Sequence, residues 1–178
     1  MKDMEKIKWL EWSAETFEKA QQEDKPILLD ISAVWCHWCH VADETTYADK
    51  DVISIINESF VPIKVDTDRR PDINSRYNQG GWPSTVFLTA KGNVITGATY
   101  VPPENMKSLL KEISELYKEK KDDIERHYKN ITHTSAVEKG KIEAEISEEI
   151  SLYLLEFYDA DYGGFGFQPK FPITEALE

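Results

Sequence analysis

The sequence lacks three features that would point to common classes of protein. It has no run of about 18 apolar residues that could span a membrane, and no apolar stretch near its start long enough for a signal-peptide core. It is also poor in cations, with 21 Lys and Arg against 33 Asp and Glu and a net charge of −12. A field of that sign repels phosphate backbones and anionic membrane surfaces. We therefore expect a cytoplasmic protein with no nucleic-acid partner and no membrane partner.

Cysteine is scarce, because the 178 residues include only two, Cys36 and Cys39. A disulfide scaffold would spread more cysteines along a short secreted chain. A lone neighbouring pair in a reducing compartment is more often catalytic or metal-binding. The chemistry of this chain is therefore to be sought at residues 36–39.

Hydrophobic residues make up 40 % of the chain, which excludes disorder along its whole length and is enough for a sizeable core. Their spacing predicts strands over residues 27–34, 60–66, 84–89 and 94–97. It predicts helices over residues 14–24, 37–47, a stretch that begins at Asp49 or Lys50, a short segment after Pro71, and residues 103–128. Helices between the first two strands favour parallel pairing, whereas the last two strands are close enough for an antiparallel hairpin. The predicted fold class is α/β, with a mixed central sheet of about four or five strands flanked by helices.

The composition of the sequence changes after about residue 130, which predicts a domain boundary there. We expect residues 1–130 to form one domain, the polar residues 131–140 to form a linker, and residues 141–178 to form a helical extension with a helix over 141–158. The aromatic, glycine and proline residues from Asp161 to Pro172 cannot bury themselves within so short a piece. We interpret the extension as the truncated start of a second domain.

Cys36 and Cys39 lie where a predicted buried strand gives way to a helix. Placing Cys36 at the helix N-terminus exposes its sulfur to free backbone N–H groups and to the positive end of the helix dipole, both of which favour the thiolate. Cys39, one turn further on, should be more buried and less ionised. The spacing predicts an unequal pair, in which Cys36 attacks a substrate disulfide and Cys39 resolves the mixed disulfide.

This chemistry needs no bound cofactor or metal, because the dithiol itself carries the two electrons. The partners it requires are a protein or small-molecule disulfide and an electron donor. In a glutathione-buffered cytosol the direction of reaction is expected to be the reduction of protein disulfides.

Asp30 lies inside the predicted strand, six residues before Cys36. Desolvation disfavours a buried carboxylate, so its pKa should rise, which gives a group able to exchange a proton with the thiol of Cys39. Lys64, in the neighbouring predicted strand, is a candidate partner for Asp30. The alternative interpretation is an acid at a strand end that reaches solvent.

Two residues lie between the cysteines, and each has two interpretations. A protonated His37 would stabilise the thiolate of Cys36 and make the pair more oxidising. Otherwise His37 is an exposed polar residue on the first turn of the helix. Trp38 is either a hydrophobic contact for substrate or a cap over the site.

These segments resemble thioredoxins. Residues 27–39 are similar to that family's strand, buried aspartate, W-C-x-x-C site and helix start, and residues 82–88 are similar to its cis-proline strand. The resemblance implies a thioredoxin fold and a thiol-disulfide oxidoreductase. In that family the proline faces the active site and the preceding residue offers backbone hydrogen bonds to a bound peptide. Carried over, this implies substrate-binding roles for Trp82 and Pro83, with Trp35 and Trp38 near the same edge.

A more specific resemblance rests on longer strings. Cys36-His37-Trp38-Cys39-His40, Gly80-Gly81-Trp82-Pro83 and Tyr100-Val101-Pro102-Pro103 are similar to the N-terminal thioredoxin-like domain of the spermatogenesis-associated/YyaL-type proteins. In that family a large helical toroid that resembles sugar-processing enzymes follows, and residues 162–172 are similar to its opening segment. The dipeptide His37-Trp38 is neither the Gly-Pro of reducing thioredoxins nor the Gly-His of disulfide isomerases, so the direction of electron flow stays open.

Three alternatives compete with a redox site. The string C-x-x-C-H formally matches the attachment motif of c-type haem, but haem attachment normally needs export. A zinc site would use Cys36, Cys39 and His40, with His37 as a further ligand, although structural zinc usually takes a second ligand pair from elsewhere in the chain. The third alternative is a binding module that keeps the thioredoxin fold without turnover.

Overall fold

Four strands form one sheet: β1 (Ile27–Ser32), β2 (Val61–Asp66), β3 (Ser84–Leu88) and β4 (Val94–Ala98). The strand order is β2-β1-β3-β4, in which β1 is parallel to β2 and antiparallel to β3, and β3 is antiparallel to β4. A single parallel bridge between Leu10 and Ile63 lies on the outer side of β2. The mixed sheet and its strand pairing confirm the predicted fold class.

This computed structural model describes residues 6–131, 146–161 and 163–164. The chain divides into two compact units, residues 1–133 and residues 134–178. The helices are α1 (Ala14–Gln22), α2 (His37–Glu44), α3 (Lys50–Ser59), α4 (Pro71–Tyr77), α5 (Pro103–Ile131) and α6 (Ile146–Glu156). None of the described helices combines the length and the apolar composition that crossing a membrane requires.

The alternation of side chains along β1 divides the core of the first unit into two clusters. Leu28 packs with residues of α3 and α5 on one face of the sheet, whereas Ile27, Leu29 and Ile31 pack with residues of α1 and α4 on the other. Because both faces are covered, five of the six residues of β1 are buried. Asp30 shares the face of Leu28, and the sheet therefore directs this carboxylate into the interior.

The ends of β1, α1 and α2 correct the predicted boundaries. The first strand ends at Ser32 and the chain turns at Val34 and Trp35, both of which are exposed. The first helix ends at Gln22, because Asp24 takes a positive φ of 52° and the next N–H bonds back to the Ala20 carbonyl. The second helix ends at Glu44 rather than at residue 47, and the Thr46 hydroxyl donates to the Val101 carbonyl.

The long helix α5 differs from the uninterrupted helix that its spacing predicts. Its backbone leaves helical geometry at Lys120 (φ −124°, ψ 15°) and the helix continues to Ile131. No proline or glycine marks this position. Next to the break, Lys121 pairs with Asp24 in the turn after α1. A tertiary contact, which spacing cannot reveal, therefore coincides with the bend.

The second unit is described over α6 and the turn that follows. The Asp159 N–H donates to the Gly164 carbonyl at 2.9 Å, and the Gly163 N–H donates to the Asp159 carbonyl at 2.9 Å. A helix was predicted over residues 141–158, of which residues 141–145 lie outside the described residues. The predicted linker covers residues 131–140, of which Ile131 is the last residue of α5 and residues 132–140 lie outside the described residues. Residues 165–172 of the predicted aromatic segment lie outside them as well.

The N-cap of α3 provides a test of how this helix is held in the fold. The Asp49 carboxylate accepts hydrogen bonds from the N–H groups of Asp51 (2.9 Å) and Val52 (3.0 Å), and it lies 3.7 Å from Lys107 of α5. We expect Asp49→Ala to lower the free energy of unfolding by about 1 kcal/mol, the usual cost of a lost cap. Asp49→Asn keeps a capping oxygen and should cost less. Urea denaturation of both variants checks this, and equal losses would contradict it.

Candidate active site

Cys36 is the N-cap residue of α2 and Cys39 lies in the first turn of that helix. The Cys36 sulfur accepts a hydrogen bond from the Cys39 N–H at 3.1 Å, and the Cys36 carbonyl accepts one from the His40 N–H at 3.3 Å. The two cysteines form a disulfide with their Cα atoms 5.3 Å apart, inside the usual range for such a bond. The strand-to-helix junction therefore brings both sulfurs together as the spacing predicts.

The two sulfurs are unequally placed. Cys36 is 7 % exposed and Cys39 is 3 % exposed, which is the order expected from their positions on the helix. On reduction, the backbone N–H that points at the Cys36 sulfur would favour its thiolate. The arrangement thus offers one sulfur suited to attack and a second, more enclosed sulfur beside it.

Asp30 is buried, with 1 % of its surface exposed, so the alternative of an acid that reaches solvent is wrong. Its in-register neighbours are Lys64 on β2 and Thr85 on β3. The Lys64 Nζ lies 3.1 Å from one carboxylate oxygen, which confirms the expected pair, and the Tyr47 hydroxyl donates to the other at 3.2 Å. Burial raises the pKa of Asp30, against the opposing effect of the Lys64 charge.

Lys64 also contacts a second carboxylate, that of Asp43 on α2, at 2.5 Å. Burial alone would lower the pKa of Lys64, but the charges of Asp30 and Asp43 raise it above its ordinary value. Cys39, Asp43 and Lys64 line one cleft of about 540 Å³. Asp30 is therefore joined, through Lys64, to a cleft that Cys39 also faces.

Two of these polar residues were missed by sequence reasoning. The spacing of Asp43, four residues after Cys39, could have indicated that both lie on one helix face. Tyr47 was assigned to the end of the second helix, whereas the earlier end of α2 lets its side chain reach the sheet. Burial raises the pKa of the Tyr47 phenol well above its ordinary value, so this group acts as a hydrogen-bond donor.

Trp35 and Trp82, from separate parts of the chain, lie side by side. Their ring centroids are 5.3 Å apart in an edge-to-face arrangement. Each indole N–H is bonded, that of Trp35 to Asp68 at 2.9 Å and that of Trp82 to Asn74 at 3.0 Å. Both rings are nonetheless partly exposed. The structure thus brings together two of the candidate substrate-binding residues and holds each by a hydrogen bond.

Trp38 makes ring contacts with His37 and Tyr100. The centroid of its ring lies 5.2 Å from that of Tyr100 and 5.9 Å from that of His37. More than half of the Trp38 residue is exposed. Trp38, Tyr100 and Trp82 line a shallow cleft of about 460 Å³. This exposure leaves the ring accessible for the predicted contact with substrate. Tyr100 was not among the sequence candidates.

Pro83 precedes the first residue of β3, and its peptide bond with Trp82 is cis. The Ser84 hydroxyl, which donates to the Gly81 carbonyl at 2.7 Å, holds the loop before the strand. This loop ends at the same sheet position that pairs Ser84 with Ile31 of β1. Pro83 is thus buried at the start of the inner strand β3, next to the loop that carries Trp82.

The two histidines of the motif make different contacts. His37 is exposed on the first turn of α2, whereas the His40 ring donates to the Val34 carbonyl at 2.9 Å. Within the part of the chain that the structure describes, no three His, Cys, Asp or Glu side chains converge in a way that could hold a metal ion. Among the described residues, the contacts of these histidines therefore do not form the ligand set that the zinc alternative requires.

Comparisons with known proteins agree with this geometry. A family model described as "Thioredox_DsbH: Protein of unknown function, DUF255" matches residues 1–136. Spermatogenesis-associated protein 20 from Homo sapiens is 32 % identical over 195 residues, which cover 96 % of this chain and 25 % of that protein. The thiol:disulfide interchange protein DsbD of Campylobacter jejuni is 32 % identical over 79 residues, which cover 40 % of this chain and 14 % of that protein.

Among solved structures, the chain is similar to one titled "DsbH Oxidoreductase", with a TM-score of 0.53 and 21 % identity. The match covers 62 % of this chain and 90 % of that one. At this identity the likeness shows a shared thioredoxin fold. The chain spans about a quarter of the length of spermatogenesis-associated protein 20.

The buried carboxylate generates a prediction about stability and pH. The pKa of Asp30 is raised above its ordinary value of 3.8, so the folded protein binds this proton more tightly than the unfolded chain does. Its contribution to stability therefore falls as pH rises from that value through the raised pKa. Asparagine cannot ionise, so the stability of Asp30→Asn relative to wild type should increase between about pH 4 and about pH 7. Urea denaturation of the oxidised proteins at both pH values measures it, and a relative decrease would contradict the burial argument.

Proposed function

The chain belongs to the DsbH-like thioredoxin family described as DUF255, and we propose that it is a disulfide reductase that acts through Cys36 and Cys39. The observation that carries this proposal is the position of Cys36, whose sulfur caps α2, accepts the Cys39 N–H and is bonded to the Cys39 sulfur. The similarity to a thiol:disulfide interchange protein supports the same class of reaction.

In the first step, the reduced protein attacks with Cys36. The N–H of Cys39 and the N-terminus of α2 stabilise its thiolate, which attacks one sulfur of a protein disulfide. A bond forms between the Cys36 sulfur and that substrate sulfur, while the substrate's own S–S bond breaks. The second substrate sulfur leaves as a thiolate with the electron pair. The product is a mixed disulfide on Cys36.

In the second step, Cys39 resolves the mixed disulfide. Its thiol gives its proton to the carboxylate of Asp30, and its sulfur attacks that of Cys36. The Cys36–substrate bond breaks, the remaining substrate sulfur leaves as a thiolate, and the protein takes the disulfide form seen in the structure. The cleft shared by Cys39 and Lys64 offers a route for this proton, since Lys64 contacts Asp30 directly. An external dithiol donor returns two electrons and restores the reduced pair.

Substrate would lie across the exposed aromatic rings. Trp35, Trp38 and Trp82 provide apolar contacts beside the disulfide, and the backbone at Trp82 and Pro83 would bond an extended segment of the substrate. His37 is proposed to tune the Cys36 thiolate, because it follows Cys36 directly and lies on the same first turn of α2. We place this activity in residues 1–130 and in the cytoplasm.

The roles of the two cysteines can be separated with a matched pair of variants. Reduced Cys39→Ser, mixed with insulin, should accumulate a mixed disulfide on Cys36, because the resolving thiol is missing. Cys36→Ser should react at least about 10²-fold more slowly, since it keeps only the enclosed sulfur. Mass spectrometry of acid-quenched samples, with and without dithiothreitol, measures both. Absence of any adduct, together with no dithiol-dependent insulin reduction by the wild type, would favour the non-catalytic binding module instead.

The direction of electron flow is tested by the reduction potential. For a reductase we expect a value near that of thioredoxin, about −270 mV, after equilibration with defined glutathione buffers. The reduced fraction can be read by alkylation of the two thiols. A potential near that of DsbA, about −120 mV, would contradict the proposed direction and favour an oxidant.

A further inference from the structure

Lys64 is shared by two carboxylates that differ sharply in their access to water. Asp30 is almost fully buried, whereas 45 % of the Asp43 side chain is exposed. The Lys64 Nζ lies 3.1 Å from Asp30 and 2.5 Å from Asp43. With all three groups ionised, the cluster would carry a net negative charge next to a buried carboxylate. The shorter of the two contacts is the one with Asp43, so the Lys64 ammonium group is shared between the two carboxylates.

The position of Asp43 is fixed by the helix that carries the cysteines. It follows Cys39 by four residues, so both lie on one face of α2 and both line the cleft that contains Lys64. Asp43 is therefore an exposed carboxylate of this cleft that contacts the Asp30–Lys64 pair directly.

We propose that Asp43 is a positioning residue that draws Lys64 away from Asp30 and so keeps Asp30 a strong enough base to accept the proton of Cys39. This inference rests on the proposed function and adds a residue to its second step. In that step the Cys39 S–H bond breaks, its proton moves to an Asp30 oxygen and its electron pair forms the bond to the Cys36 sulfur. The bond between Cys36 and the substrate sulfur breaks, and that sulfur leaves as a thiolate with the electron pair. Asp43 neither gains nor loses a proton in the step.

The charges of Lys64 and Asp43 act on Asp30 in opposite directions. Burial disfavours the charged form of Asp30, Lys64 favours it, and the negative charge of Asp43 disfavours it. Neutralising Asp43 removes a repulsion and also frees Lys64 to bond Asp30 alone. Both changes make Asp30 give up its proton at lower pH and make it a weaker base.

Other groups around this cluster set the background against which Asp43 acts. Tyr47, from the turn after α2, donates to Asp30, and β3 contributes the neutral Thr85. Further charged or titratable residues line the cleft: Glu11, His40, Asp66, Arg69 and Arg70. The variants compared below leave all of them in place.

The first measurement is the titration of Asp30 in the oxidised protein, which needs no catalysis. Carboxyl carbon NMR of aspartate-labelled protein gives its midpoint, and the Asp30 signal is identified by its loss in Asp30→Asn. We expect the midpoint to move to lower pH in Asp43→Asn and to return towards the wild-type value in Asp43→Glu. Glu44→Gln, which removes the same charge from the adjacent exposed residue, should leave the midpoint unchanged because it faces another side of the helix.

The second measurement is the pH profile of a single turnover, in which pre-reduced protein reduces excess insulin. The acidic limb should move to lower pH in Asp43→Asn, and this shift should vanish in the Asp30→Asn background. An unchanged or higher Asp30 midpoint in Asp43→Asn, or an equal shift in Glu44→Gln, would overturn the inference. A wild-type protein that reduces no disulfide would instead overturn the proposed function, while the NMR titration would still report whether Asp43 controls Asp30.

Discussion

A carboxylate buried in the strand that precedes the disulfide is the constraint on which the rest of the site depends. Removing an ionised carboxylate from water is costly unless hydrogen bonds and an opposite charge compensate for it. At Asp30 the compensation comes from three elements: Lys64 of β2, Thr85 of β3 acting through Tyr47, and Tyr47 itself. Parallel pairing of β1 with β2 places Lys64 directly opposite Asp30. The ion pair that compensates for the burial of Asp30 therefore requires this pairing of the two strands.

Helix α2 contributes side chains to two clefts with different linings. One contains Cys39 together with the charged side chains of Asp43 and Lys64, and Lys64 contacts the buried carboxylate. The other is lined by the exposed rings of Trp38 and Trp82. Because the two clefts use different residues, the proposed reaction would allow a proton to leave Cys39 while a substrate contacts the aromatic rings. This division suits a reaction in which the resolving thiol must lose its proton inside a mixed disulfide.

Local features of this site were predictable from the sequence, whereas contacts across the fold were not. The burial of Asp30, its pairing with Lys64 and the capping position of Cys36 follow from one strand pattern and one strand-to-helix junction. Tyr47 reaches Asp30 because α2 ends three residues earlier than its spacing predicts. The bend at Lys120 lies in a segment without a helix breaker, next to a partner almost a hundred residues away in sequence. The spacing of apolar residues indicates which face of a helix or strand is buried. It does not indicate where a contact with a residue distant in sequence coincides with the end or the bend of a helix.

The aromatic surface is ordered before any substrate arrives. Trp35 is held by Asp68 in the turn after β2, and Trp82 is held by Asn74 of α4. The two indoles also contact each other edge to face, so each restricts the rotamers of the other. Ordering a large side chain costs about 0.5–1.5 kcal/mol when it happens on binding. Because folding has already ordered the side chains of Trp35 and Trp82, their rings could contact a substrate with little further loss of conformational entropy. Under the proposed function, affinity for substrate would depend on residues that hydrogen-bond to α4 and to the turn after β2, and reactivity would depend on the N-terminus of α2. Substitutions could therefore change the affinity for substrate and the reactivity of Cys36 independently of each other.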